Sequence, residues 1–267
     1  MVRRQIFVGA VLACLIVALI TGIYYGTRIE SKQIKGVQVV GGQTIPHRDI
    51  EQIVNNTLVG HYYRLVPKRF TWTYPKTQIV NSILAVDRVK NVQVELSKKE
   101  LVVVFDEHTP EALWCDEGGL PCLFMDRSGY AFAEAPELSG GALVRYVATG
   151  VKPEKDTSQF TAEFITANEV FIEQLADELG LYITQVVKGG EDDIDYKVSG
   201  GGIIKTSQLI SLPTTFSNLK TILLSEEFAH LEPGSFQYID LRFGDKVFVN
   251  EELPSLSSAT STGTSTD

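Results

Sequence analysis

The longest pattern in the chain is a block rather than a period: Ile6 to Tyr25 is a run of twenty residues without a charge. As a helix, such a run measures roughly 30 Å, the thickness of a bilayer's hydrocarbon core. Arg3 and Arg4 stand before it. Tyr24 and Tyr25 close its far edge, where amphipathic rings favour the headgroup level. Residues 6–26 are therefore expected to form a transmembrane helix, with 1–5 as a cytoplasmic stub and the remainder outside the cytoplasm. Arg28, Lys32 and Lys35 on the other flank leave little charge asymmetry, so orientation rests on the long C-terminal part having no second span. A cleaved signal peptide would carry a shorter apolar region and a small-residue cleavage site, which Thr21 to Arg28 does not offer. Val11-Leu12-Ala13-Cys14 has the look of a loose lipobox, yet the apolar run continues well past Cys14. A retained anchor fits best.

Beyond Gly26 the pattern becomes periodic. Ile34 to Val40 alternates apolar and polar positions and stops at Gly41-Gly42, a strand and a turn. Pro46 suits a first helical turn, and Ile50, Ile53, Val54, Thr57 and Leu58 follow at helical spacing until Gly60. His61 to Tyr74 is a polar and aromatic connection in which Tyr62, Tyr63, Phe70, Trp72 and Tyr74 lie among basic residues. Tyr62, Tyr63 and Trp72 are expected to pack against the domain's own sheet, with an interface as the alternative. A second helix opens at Pro75 with Ile79, Val80, Ile83 and Leu84 on its buried face. Val89 to Leu96 and Leu101 to Phe105 read as two strands joined at Ser97-Lys98-Lys99-Glu100. The predicted order over residues 34–105 is β-α-α-β-β.

Residues 106–250 are strand-rich. Ala112 to Cys115 and Leu123 to Asp126 flank a turn, and Tyr130 to Ala133 and Leu143 to Thr149 follow as strands. Phe160 to Leu179 is expected to be a helix, since Phe164, Ile165, Val170, Phe171, Leu175 and Leu179 recur at helical spacing and Gly180 ends it. Leu181 to Val187, Asp193 to Val198 and Gly202 to Thr206 form a meander turning at paired glycines. Leu209 to Leu224 is expected to be helical from about Pro213. Gln237 to Val249 is two short strands or one bent one, with Ile239, Leu241 and Phe243 on one face. Asp240 and Arg242 alternate with these and are expected to form an ordinary exposed ion pair. The fold class predicted is α+β: a single N-terminal transmembrane helix, a β-α-α-β-β domain, then a mixed β-sheet domain with flanking helices.

Composition narrows the function. The formal net charge is -9, against the basic face a nucleic-acid binder would show. His47, His61, His108 and His230 are scattered, no nucleophile elbow is present, and Cys115 and Cys122 lack the spacing usual for zinc. Asp192, Asp193 and Asp195 read as a solvated loop. No catalytic activity, cofactor or metal is expected. Cys115 and Cys122 flank a hairpin turn: in an oxidising compartment they form a disulfide if their Cα atoms come within about 7 Å, and otherwise remain two thiols. Residues 251–267 hold too few apolar side chains to offset their ordering entropy and are expected to be a disordered tail.

Four segments carry a family resemblance. They are IKGVQVVGGQTIPHRDI (Ile34 to Ile50), VDRVKNVQVELSKKELVVVFDEHTPEALW (Val86 to Trp114), LFMDRSGYAF (Leu123 to Phe132) and YIDLRFGDKVFV (Tyr238 to Val249). In this order behind a single anchor, the chain resembles the FtsQ/DivIB family of bacterial cell-division proteins, with a POTRA domain at 34–105 and an FtsQ-type β domain at 106–250. The resemblance implies a non-enzymatic divisome scaffold in the cytoplasmic (inner) membrane, concentrated at the division septum. It implies FtsB/FtsL-like bitopic division proteins as partners, and a part in recruiting and regulating septal peptidoglycan synthesis. Carried over, the partner-binding residues are Phe243, Gly244, Asp245, Lys246, Val247, Phe248 and Val249, where an incoming strand extends the sheet. The blander reading makes Val247 and Val249 core-facing and closes the edge with the tail. A second interaction surface on the POTRA domain is implied without a face. The alternative function is a POTRA-bearing, membrane-anchored assembly or transport accessory protein. The His61 to Tyr74 connection and the cysteine pair have no counterpart in the family pattern.

Overall fold

The computed structural model describes residues 2–138, 141–190, 192–233, 235–244 and 246–251. Asp245 and the expected tail from 252 onward lie outside the described residues. The chain is a mixed α+β protein with an N-terminal apolar helix and a large mixed sheet, divided into units 1–108 and 109–267.

The first unit begins with α1 (Val2–Gly26). Its Arg3–Gly26 stretch is long and apolar enough to cross a membrane, and none of it is buried against protein. The helix runs four residues further toward the N-terminus than the charge-free run, taking Arg3 and Arg4 into its first turn. Then follow β1 (Gly36–Gly41), α2 (His47–Thr57), β2 (His61–Tyr62), β3 (Val66–Pro67), α3 (Lys76–Leu84), β4 (Val89–Ser97) and β5 (Glu100–Glu107). β1 lies parallel to β5, which pairs antiparallel with β4, so the sheet order is β1-β5-β4. Ile50, Val54 and Leu58 of the α2 segment join Ile79 and Ile83 of α3 in one apolar core with Val92, Val94, Leu101, Val103 and Phe105. Each such side chain contributes about 1.5–3 kcal/mol by leaving water. Leu84 differs from expectation: it closes the last turn of α3 and is 44% exposed.

Two turns position this unit. Gly41 and Gly42 take φ of 94° and 63°, and a Cβ on Gly41 would stand 2.1 Å from the Phe105 carbonyl oxygen, so only glycine fits. The chain leaving that turn is clamped by Glu107, whose carboxylate accepts from the backbone N–H of Gln43, Thr44 and Ile45 and from the Thr44 hydroxyl. The His61 to Tyr74 connection holds a small hairpin, β2 against β3. Its aromatics do not pack as expected: Tyr63 is 94% and Trp72 78% exposed. The core under α2 and α3 is filled by the apolar side chains of those helices and of one sheet face, and neither ring joins it.

The second unit comprises β6 (Ala112–Cys115), β7 (Cys122–Met125), β8 (Tyr130–Ala135), β9 (Arg145–Ala148), β10 (Thr157–Ser158), α4 (Ala162–Leu179), β11 (Ile183–Lys188), β12 (Asp193–Val198), β13 (Ile203–Ser207), α5 (Leu212–Leu223), β14 (Tyr238–Phe243) and β15 (Lys246–Asn250). All ten strands form one sheet in the order β10-β8-β7-β6-β9-β11-β12-β13-β14-β15. The β6–β9, β9–β11 and β13–β14 pairings are parallel and the rest antiparallel. α4 starts where the Thr161 hydroxyl accepts from Phe164 N–H and stops at Gly180, which adopts the left-handed conformation. α5 is capped by Ser211 with Pro213 in its first turn.

Strand alternation divides this sheet's residues between two cores. Trp114, Met125, Tyr146, Val186, Ile194, Tyr196, Ile204, Ile239 and Leu241 face α4 and α5. Leu113, Cys115, Cys122 and Val147 form a smaller cluster of their own. Within it Cys115 and Cys122 are directly paired across β6 and β7, with Cα atoms 4.1 Å apart, and are joined by a disulfide.

Candidate functional site

The C-terminal strands of the large sheet present a polar face opposite their core side chains. In register, Asp195 of β12 lies beside Lys205 of β13, Lys205 beside Asp240 of β14, and Asp240 beside Phe248 of β15. One row of alternating charge therefore crosses four strands and ends in an aromatic ring at the edge.

Arg242 organises this face. Its Nε and Nη2 grip the two oxygens of Asp240 at 2.9 and 2.7 Å, and its Nη1 reaches Asp193 at 2.6 Å. Asp240 is only 5% exposed. The ordinary exposed pair expected from alternation is thus a half-sunken fork, and Asp193 belongs to β12, on the far side of β13, rather than to a solvated loop. Burial works against the charge of Asp240, but hydrogen bonds and charge from Arg242 outweigh it and hold the carboxyl below the usual carboxylate range. Those same bonds raise the Arg242 guanidinium further above its ordinary value. Asp195 goes the other way: burial pushes it up, and Lys205 and Arg242 recover only part of that.

The residues expected to bind a partner divide by role. Phe243 ends β14 and Gly244 turns with φ of 68°. Asp245 lies outside the described residues. Lys246, Val247, Phe248 and Val249 belong to β15. Val247 and Val249 pack partly against the helix-covered core, while Phe248 is 52% and Phe243 54% exposed. Phe243 leaves the Ile239 and Leu241 face because the ladder shifts register between Asp240 and Phe243. That shift lets its ring meet Phe248 edge-on at 5.4 Å, with the Arg242 guanidinium 5.6 Å from the Phe243 centroid.

β15 is the last strand of its sheet, and among the described residues no strand pairs with its outer side. Asn250 accepts from Gln237 N–H, so its carbonyl points inward toward β14. Backbone direction alternates along a strand, which aims the N–H and C=O of Val247 and Val249 outward. The arrangement is an open backbone edge flanked by two aromatic rings and an anchored cation, suited to receiving an extended segment.

Sequence reasoning reached the edge strand but not the Asp193–Arg242–Asp240 fork. Asp193 and Arg242 are 49 positions apart. The usable signal was the alternation of Asp193 and Asp195 with Ile194 and Tyr196, which marks a strand's polar face. No protein-family model matches the chain, and no curated protein matches it in sequence.

Proposed function

We propose that this chain is a non-enzymatic scaffold of the FtsQ/DivIB type, held in the cytoplasmic membrane by α1 with its folded units outside the cytoplasm. On this reading residues 34–105 are a POTRA domain and residues 106–250 an FtsQ-type β domain. The chain gathers FtsB/FtsL-like bitopic partners at the division site and through them regulates septal wall synthesis. The observation that carries the reading is the open edge of β15, at the sequence where the resemblance puts the partner strand. The order of β1, α2, α3, β4 and β5 supports the POTRA assignment, and the apolarity and length of α1 support the anchor.

Binding follows from the edge geometry. A partner strand satisfies the outward backbone groups of Val247 and Val249, and its own side chains meet Phe243, Phe248 and the Arg242 fork. Val247→Pro tests this directly, because proline removes an outward donor while an edge strand tolerates its φ. The variant is expected to lose pull-down of the bitopic partner while melting within a few degrees of the wild type. Undiminished pull-down would remove this surface from consideration. The cellular part of the reading predicts that a fluorescent fusion gathers at midcell, and an even membrane distribution in dividing cells would refute it. An assembly or transport accessory protein would share the anchor and give the β15 edge no division partner.

A further inference from the structure

We infer that the β2–β3 hairpin and Trp72 form a second, interfacial membrane contact, resting on the headgroups of an anionic bilayer where α1 emerges. The inference depends on the reading that α1 spans a membrane, and it concerns a segment that has no counterpart in the family pattern.

The position follows from hydrogen bonds. Arg28, two residues past the end of α1, donates through one nitrogen, Nη1, to the carbonyl of Tyr24 at 3.0 Å and to that of Leu65 at 3.1 Å. Its guanidinium also lies 3.5 Å from the centroid of the Tyr24 ring. One side chain therefore links the helix's final turn to the hairpin tip. Farther along, Thr71 donates through both N–H and hydroxyl to the Lys32 carbonyl at 3.1 Å, Gln33 bridges to Phe70, and Ile34 N–H donates to Arg69. The whole segment from His61 to Trp72 is held against the residues that immediately follow the helix. Wherever a bilayer surrounds α1, these residues lie at its surface.

The chemistry of the segment suits that place. Tyr63 and Trp72 are among the most exposed large side chains outside α1, and such rings favour the headgroup zone, where an apolar body and a polar tip are both satisfied. Lys32 lies 5.5 Å from the Trp72 centroid. Across residues 28–35 and 61–72, six Lys and Arg (Arg28, Lys32, Lys35, Arg64, Lys68 and Arg69) face a single acidic residue, Glu30, in a chain whose net charge is -9. This local reversal of sign attracts anionic lipid. At the hairpin tip Tyr63 and Arg64 hold φ of 47° and 63°, and the Tyr63 ring stands almost fully in solvent.

The chain has two tryptophans, and Trp114 is 2% exposed, so Trp72 can be followed by difference. The full chain is reconstituted into phosphatidylcholine vesicles with and without phosphatidylglycerol, using lipids brominated near the headgroup as quenchers. Wild-type emission is expected to be quenched, and Trp72→Phe to lose most of the quenchable signal. Quenching should weaken in the absence of phosphatidylglycerol and in Arg64→Gln/Lys68→Gln. Vesicles are washed with alkaline carbonate as a separate readout of α1. If the protein stays in the vesicles while Trp72 remains open to iodide and blind to the brominated lipid, the contact is overturned and the anchor stands. That same result would hand the patch to an acidic protein surface. If carbonate releases the protein, the anchor reading falls and this contact with it.

Discussion

Arg242 shows how one side chain can set the character of a surface. It holds Asp240 and Asp193 together, and removing it leaves a nearly buried carboxylate without its partner. Arg242→Ala is expected to destabilise the second unit by about 3 kcal/mol, at the lower end for breaking a buried pair because Arg242 is itself partly solvated. Urea unfolding of the variant against wild type measures it. The acid response has two opposed parts. Asp240 and Glu107 have folded pKa values below the carboxylate norm, Glu107 because donors from Thr44 and the 43–45 backbone outweigh its burial. Their stabilisation is present above the ordinary carboxylate range and is lost as pH falls through their lowered values. Asp195 is raised, so its ionised form costs stability at neutral pH, and that cost is returned as pH falls through its raised value. Asp195→Asn is therefore expected to raise the urea midpoint at neutral pH, with the gain vanishing in acid. A gain that persists unchanged in acid would refute this assignment. The sequence shows these residues alternating with apolar ones, but which acid meets which base is decided by strand order. Read locally, Asp193 resembled a loop residue because the glycines beside it signal a turn.

Elements were legible where the signal is local. The end of α4 could be placed because Gly180 is a chemical end-mark, and the β4–β5 hairpin because its turn interrupts a clean alternation. Lys98 and Lys99 in that turn hold φ of 47° and 76°, as a two-residue hairpin requires whatever residue occupies it. The small β2–β3 ladder was not legible, since two-residue strands carry no period. Arg64→Gly in that hairpin is expected to stabilise the first unit by about 1 kcal/mol through relief of its left-handed backbone. The same change should weaken the Trp72 contact with anionic vesicles, so a calorimetric melt and a quenching assay move in opposite directions. The disulfide staples the short turn between β6 and β7. Cys115→Ser/Cys122→Ser should cost about 2–3 kcal/mol by freeing the unfolded loop, read as a lower urea midpoint that reductant no longer alters.

At the scale of the whole molecule, the apolar block, the two folded parts and the acidic balance could all be read from the chain, because each is a property summed over many residues. Exposure could not. Tyr63 and Trp72 look like core residues in a sequence, and only the folded structure shows that neither ring joins the core under α2 and α3. The proposed membrane anchor yields a plain prediction: the full chain should stay with membranes through an alkaline wash and leave them only with detergent.

The two hydrogen bonds that Arg28 donates to the carbonyls of Tyr24 and Leu65 have a mechanical meaning. Most tethered domains hang from a slack cord and wander over a volume set by its length. Here the cord is shortened almost to nothing, because the chain is fastened to the first folded unit within one helical turn of α1. On the proposed reading of α1 as a membrane anchor, the first unit is expected to be carried at a fixed height and to turn with the helix, as a key turns with its shaft. Inserting a few glycines between Gly26 and Thr27 would convert that shaft into a string, leaving every folded surface intact while releasing the unit's altitude and bearing.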